Sequence, residues 1–126
     1  MVLPNDLEDW LTDEGDRVIH KMAAGETCSD ADLAIYEIWL LDTETRNGGV
    51  AQYFGNRGRE QWQSLSNVAD TRGFIALTKF IDAVESVIAN ATDPYDAIID
   101  SDVDLDGQYH EIQTAIVTEL RDSPVA

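Results

Sequence analysis

With 126 residues, 44% of them hydrophobic and including three Trp, four Tyr and three Phe, the chain has the size of one domain and enough apolar material for its own core. Its 25 Asp and Glu against 8 Lys and Arg leave a formal net charge of −17. That excess excludes direct binding to a nucleic-acid backbone or an anionic membrane surface, because both require clustered Lys and Arg.

Helical spacing dominates the chain, and no alternating β-branched block competes with it. A first helix is predicted from about Leu7 to Ala24: Leu7, Leu11, Val18 and Met22 form its apolar stripe, Gly15 weakens its middle and Gly25 ends it. Ser29 is a good N-cap for a second helix reaching about Thr45, with Asp30 and Asp32 complementing the dipole of its first turn. Leu33, Ala34, Ile35, Tyr36, Ile38, Trp39, Leu40 and Leu41 cover nearly its whole circumference, which predicts a central, buried helix. Asn47-Gly48-Gly49 predicts a turn, followed by a short helix from Val50 to about Asn56 and a loop bracketed by Gly55 and Gly58. Trp62, Leu65 and Val68 mark the next helix, with a break near Asp70. The stripe Phe74, Leu77, Ile81, Val84 and Ile88 is the clearest of all, and Asp93-Pro94 ends it. A last helix is read from about Tyr109 to Leu120 through Ile112, Ile116 and Leu120. The expected fold is all-α: a single compact multi-helix domain over residues 1–126.

The acid is unevenly spread. Residues 1–44 carry −10, residues 45–92 carry +1 and residues 93–126 carry −8. Asp6, Asp9, Asp13 and Asp16 recur at steps of three and four, which lines them along one helix face. Asp93, Asp96 and Asp100 repeat that spacing, and Asp102, Asp104 and Asp106 continue at every second residue, the period of an extended segment. Rows of carboxylates at such intervals can stand in for a nucleic-acid backbone, because a basic groove responds to the position of charge. Two plainer readings compete. Acidic faces in general are solvated surface, and 16 Asp with two Lys also fits adaptation to high salt, where screening shortens to about 3 Å at 1 M.

The most distinctive string is Glu44-Thr45-Arg46-Asn47-Gly48-Gly49-Val50-Ala51-Gln52-Tyr53-Phe54-Gly55-Asn56. Asn47 can cap the helix that follows, the glycines allow positive φ and close backbone approach, and Gln52 and Asn56 share a helix face. This string resembles the DNA-mimic-protein family of small helical domains, whose signature is Glu-apolar-Asn-Asn-Gly-Gly followed by Gln, Tyr-Phe and Asn. Glu44, Asn47, Gly48, Gly49, Gln52, Tyr53, Phe54 and Asn56 match it; Thr45 and Arg46 depart from it. The helix order and the Asp-rich segment before the last helix are similar as well. The resemblance implies an acidic, often dimeric, helical protein, and the best-understood members of the family occupy the DNA site of a transcription factor; the expectation for this chain is a non-enzymatic protein of that kind. The motif residues are read as a polar network holding the helix junction, with a small-molecule or peptide pocket there as the alternative. An immunity or anti-restriction type inhibitor of a basic nuclease is the other alternative.

Other chemistry finds little support. Asp102, Asp104, Asp106 and Gly107 begin like a calcium loop, but Gln113 stands where the bidentate carboxylate belongs. His20, His110 and Cys28 are isolated, and no nucleophile, metal or phosphate-loop motif accompanies them, so no catalytic residue, metal or cofactor is expected. A single cysteine forms no intrachain disulfide, the N-terminus lacks a secretory pattern, and no apolar run approaches the ~20 residues of a membrane span. The expectation is a soluble, cytoplasmic protein that binds a basic DNA-binding protein, with a homodimer lengthening the charged track.

Overall fold

A computed structural model describes residues 3–123. Six helices follow one another: α1 (Asn5–Ala23), α2 (Asp30–Asn56), α3 (Gly58–Arg72), α4 (Ile75–Ile88), α5 (Pro94–Asp100) and α6 (Leu105–Asp122), with no strand among the described residues. The all-α expectation holds.

α2 is the axis of the fold and touches α1, α3, α5 and α6; α4 closes against α3, α5 and α6. Its N-terminus is a capping box, in which Ser29 Oγ accepts the Asp32 N–H and the Asp32 carboxylate accepts the Ser29 N–H, both at 3.1 Å. Ile38 and Leu41 are fully enclosed. Leu33 is exposed, however, while Asp32, Glu37, Asp42 and Glu44 are buried, so the inner face of α2 is far more acidic than an apolar circumference suggests. The core gathers Leu7, Leu11 and Val18 of α1, Tyr53, Phe54 and Trp62 around the α2–α3 junction, the α4 stripe, and Tyr109, Ile116 and Val117 of α6. Tyr53, Phe54 and Trp62 meet at centroid distances of 5.0–5.9 Å.

The break at Asn47-Gly48-Gly49 is present as expected: α2 is two helical segments meeting at a kink, where Gly48 (φ −153°) and Gly49 (φ 87°, ψ 175°) leave helical geometry and the second segment runs from Val50 to Asn56. Several boundaries differ from the sequence expectation. Arg57 alone separates α2 from α3, and α3 passes Asp70 to end at Arg72, with Gly73 in the left-handed conformation. α1 runs unbroken through Gly15, whose weak propensity is offset by a packing role. Gly15 is buried, and a Cβ placed on it would lie 2.7 Å from Cγ and Nε1 of the Trp39 ring, so glycine is what lets α1 approach α2. α6 starts at Leu105, one turn earlier than its apolar stripe indicated, because Asp104 caps it through the Gly107 N–H at 2.9 Å. Asp106 therefore sits on a helix and not in an extended segment.

Candidate partner-binding surface

The α1 carboxylates follow from helix geometry. At about 100° per residue, Asp6, Asp9, Asp13 and Asp16 fall within a sector of about 80°, and the buried Leu7, Leu11, Gly15 and Val18 centre about 180° away. Burial of the apolar stripe against α2 thus fixes the carboxylates outward, and all four residues are exposed. They span about 15 Å of axis at intervals of about 4.5–6 Å, sparser than the one charge per ~3.4 Å of a single DNA strand.

The second group is exposed too: Asp93, Asp96, Asp100, Asp102, Asp104 and Asp106. Three of them also serve the backbone. Asp93 caps α5 by accepting the Tyr95 N–H at 3.0 Å, with Pro94 at the first helical position; Asp104 caps α6; and Asp106 Oδ1 accepts the Val50 N–H at 2.8 Å. Among the described residues, the side chains of Asp6, Asp9, Asp13, Asp16, Asp96, Asp100 and Asp102 have no hydrogen bond or ion pair. Asp104 and Asp106 each direct one oxygen to a backbone amide, and no group of three or more metal-ligating His, Cys, Asp or Glu occurs among the described residues.

Both acidic stretches meet the kink of α2. Glu8 of α1 pairs with Arg46 at 2.6 Å, and Asp106 of α6 takes the Val50 amide one turn further on, so the near ends of the two stretches flank the same junction. The helix end exposed by the kink is capped from 56 residues away, and not by Asn47 as the sequence suggested. A Cβ on Gly49 would approach Asp106 Oδ2 to 2.7 Å, so both the backbone angle and the close approach require glycine. Of the polar motif residues, Glu44 and Gln52 join, with Gln52 Nε2 donating to Glu44 Oε1 at 3.4 Å and Arg57 Nε lying 3.5 Å from Glu44 Oε2. Asn47 and Asn56 are exposed outside this pair, while Tyr53 and Phe54 are core anchors. One surface cavity of about 330 Å³ lies at the junction against Thr43, Arg46 and Asn47, open and without Glu44, Gln52 or Asn56 in its lining; four others of about 220–380 Å³ lie away from the motif.

Four acids that swell the charge count are structural. Lys21 and, after it, Arg17 hold the Asp32 carboxyl well below its usual range, at 2.7 and 2.8 Å. Asp42 Oδ1 accepts from Tyr109 Oη and from Gln113 Nε2, both at 2.6 Å, and Asp42 Oδ2 lies 3.4 Å from Arg46 Nη1. Burial pushes the Glu37 carboxyl up although Gln61 Nε2 donates to both its oxygens. Glu44 is the fourth. The sequence counts these acids with the rest and offers no sign of their burial beyond their place in the apolar run of α2. It also hides what lies between the carboxylates of residues 93–106, where Tyr95, Ile99 and Val103 are exposed; the shared spacing of Tyr95–Ile99 and Asp96–Asp100 was the available signal.

Among the described residues, no helix is long and apolar enough to cross a membrane. Neither a search of curated proteins nor one of solved structures returned a match to this chain. Residues 26–123, which include the kink motif, all of α2 to α6 and the second acidic stretch, match the family described as DMP19-like protein. That match spans most of the 126 residues, and the chain belongs to the DMP19-like protein family.

Proposed function

We propose that this protein is a non-enzymatic DNA mimic of the cytoplasm that occupies the basic DNA-binding face of another protein, a transcription regulator, and competes with DNA for it. The observation that carries the reading is the row Asp6, Asp9, Asp13 and Asp16: exposed, without a partner among the described residues, and directed away from the core by the packing of α1. Asp93, Asp96, Asp100, Asp102, Asp104 and Asp106 extend it from the other side of the α2 kink. Solvated acid alone needs no such order, and the near-neutral middle third shows that the chain does not carry uniform acidity. A homodimer would lengthen the track.

The test is capture from native lysate at low salt on immobilised protein, followed by elution with rising salt and with duplex DNA. Wild type is expected to retain a DNA-binding protein that duplex DNA displaces and that leaves as screening shortens. The variant with Asp6, Asp9, Asp13 and Asp16 all replaced by Lys should retain none of it while keeping its helical circular dichroism. Equal capture by both forms would reject this surface.

A further inference from the structure

The stretch that carries the second set of carboxylates also leaves apolar side chains uncovered. α5 has no buried residue, and along it and the bend after it Tyr95, Ile99 and Val103 are 42%, 59% and 43% exposed. The other large apolar side chains exposed among the described residues, Met22, Leu33 and Ile75, lie singly on α1, α2 and α4. At about 100° per residue α5 has three faces: Ala97 and Ile98 pack toward the core, Tyr95 and Ile99 form an outward pair, and Asp96 and Asp100 form a parallel row beside that pair. The pair is held in place. Asp93 caps the helix at Tyr95, the Tyr95 ring lies over Gly55, where a Cβ would come to 3.2 Å from Cδ2, and Ser101 Oγ accepts the Val103 N–H at 3.0 Å.

We propose that Tyr95, Ile99 and Val103 are the apolar anchor of the partner-binding surface, and that their occupant is a basic amphipathic protein segment whose apolar side chains cover them while its Lys and Arg meet Asp93, Asp96, Asp100 and Asp102. This rests on the mimic reading and deepens it: carboxylates alone accept any polycation, whereas an apolar cluster set among them selects a protein with an apolar residue between its bases. Charge decides the occupant. No Lys or Arg lies between residues 93 and 120, and the neighbouring Arg57 and Arg59 are engaged with Glu44 and with the Ile88 and Ala91 carbonyls, so a second copy of this face would oppose carboxylate to carboxylate, and an anionic lipid surface would be repelled.

Two synthetic helical peptides of equal charge test the proposal, each with six Lys, one carrying two Leu four residues apart and the other two Gln at those positions. Binding is read by fluorescence anisotropy in 0.15 M and 0.5 M NaCl. Wild type should prefer the Leu peptide by about tenfold, the order expected from covering one or two aliphatic side chains, and the preference should persist at the higher salt while both affinities fall. The double variant Tyr95→Ser, Ile99→Ser, with its helicity checked by circular dichroism, should lose the preference and retain the affinity for the Gln peptide. Equal binding of the two peptides by wild type, or a preference that survives in the double variant, overturns the anchor and leaves the mimic reading standing. Binding of neither peptide overturns both. A wild-type dimer in sedimentation that Ile99→Ser converts to monomer would show a second copy covering this face, and overturns the anchor.

Discussion

Replacing Gly15 by Ala sets two effects of opposite sign against each other. In the interior of a helix the exchange contributes about 1 kcal/mol of stability by propensity alone. The structure places the new Cβ 2.7 Å from Cγ and Nε1 of Trp39. Cγ is the ring atom closest to the α2 backbone, so bending the far end of the side chain relieves nothing; either the indole changes rotamer or α1 moves off α2. Overpacking of this kind costs about 1–3 kcal/mol. Gly15→Ala should therefore be destabilising by about 1 kcal/mol net, which lowers Tm by about 3–5 °C in a domain of this size. In a Trp39→Ala background the clash is gone and only propensity remains, so the same exchange should raise Tm by a similar amount. Thermal and urea unfolding followed by circular dichroism at 222 nm on the four forms closes a double-mutant cycle, with an expected coupling of about 1–3 kcal/mol. An increase in stability from Gly15→Ala in the wild-type background, or the same sign in both backgrounds, would refute the close α1–α2 contact on which the outward orientation of the α1 carboxylates depends.

Three further outcomes are expected. Gly49→Ala places a side chain at φ 87°, ψ 175° and against the Asp106 carboxylate, and should cost about 1–3 kcal/mol in urea unfolding; Asp106→Ala, which leaves the backbone angle free, should cost less. Asp42→Ala leaves Tyr109 Oη and Gln113 Nε2 buried without their shared acceptor, and unfolding measurements should register a loss of about 3 kcal/mol or more. Glu37 is an acid whose folded pKa lies above its unfolded value, so its contribution favours folding while it is protonated and is lost as pH rises from the unfolded pKa of about 4.3 through the folded one. The effect of Glu37→Gln on stability should accordingly be more favourable at pH 7 than near pH 4, the loss of one acceptor for Gln61 being common to both, and unfolding measured at the two pH values checks the sign.

The elements legible in the sequence are those whose information is local. Phe74 to Ile88 repeats apolar residues at helical spacing, and Ser29 with Asp32 three residues on is a complete capping box, so α4 and the start of α2 follow directly. The start of α6 depends on a single cap and was placed late. The break at Gly48-Gly49 is legible from the glycines, but its capping partner, Asp106, is not, because it comes from the far end of the sequence. The exposed rows on α1 and after Asp93 were legible because spacing fixes direction once the apolar stripe is known. The burial of Glu37 and Asp42 is not legible, since a carboxylate looks the same in sequence whether it faces solvent or answers a buried hydroxyl and amide.

The bond from Val50 to Asp106 has a thermodynamic corollary. It closes an excursion of 56 residues that contains α3, α4 and α5, and it is made by a single amide proton. Solvent exchange of that one proton therefore monitors whether the two ends of the excursion stay clasped, and its protection factor is a local gauge of cooperativity between the amino-terminal and carboxy-terminal portions of the chain.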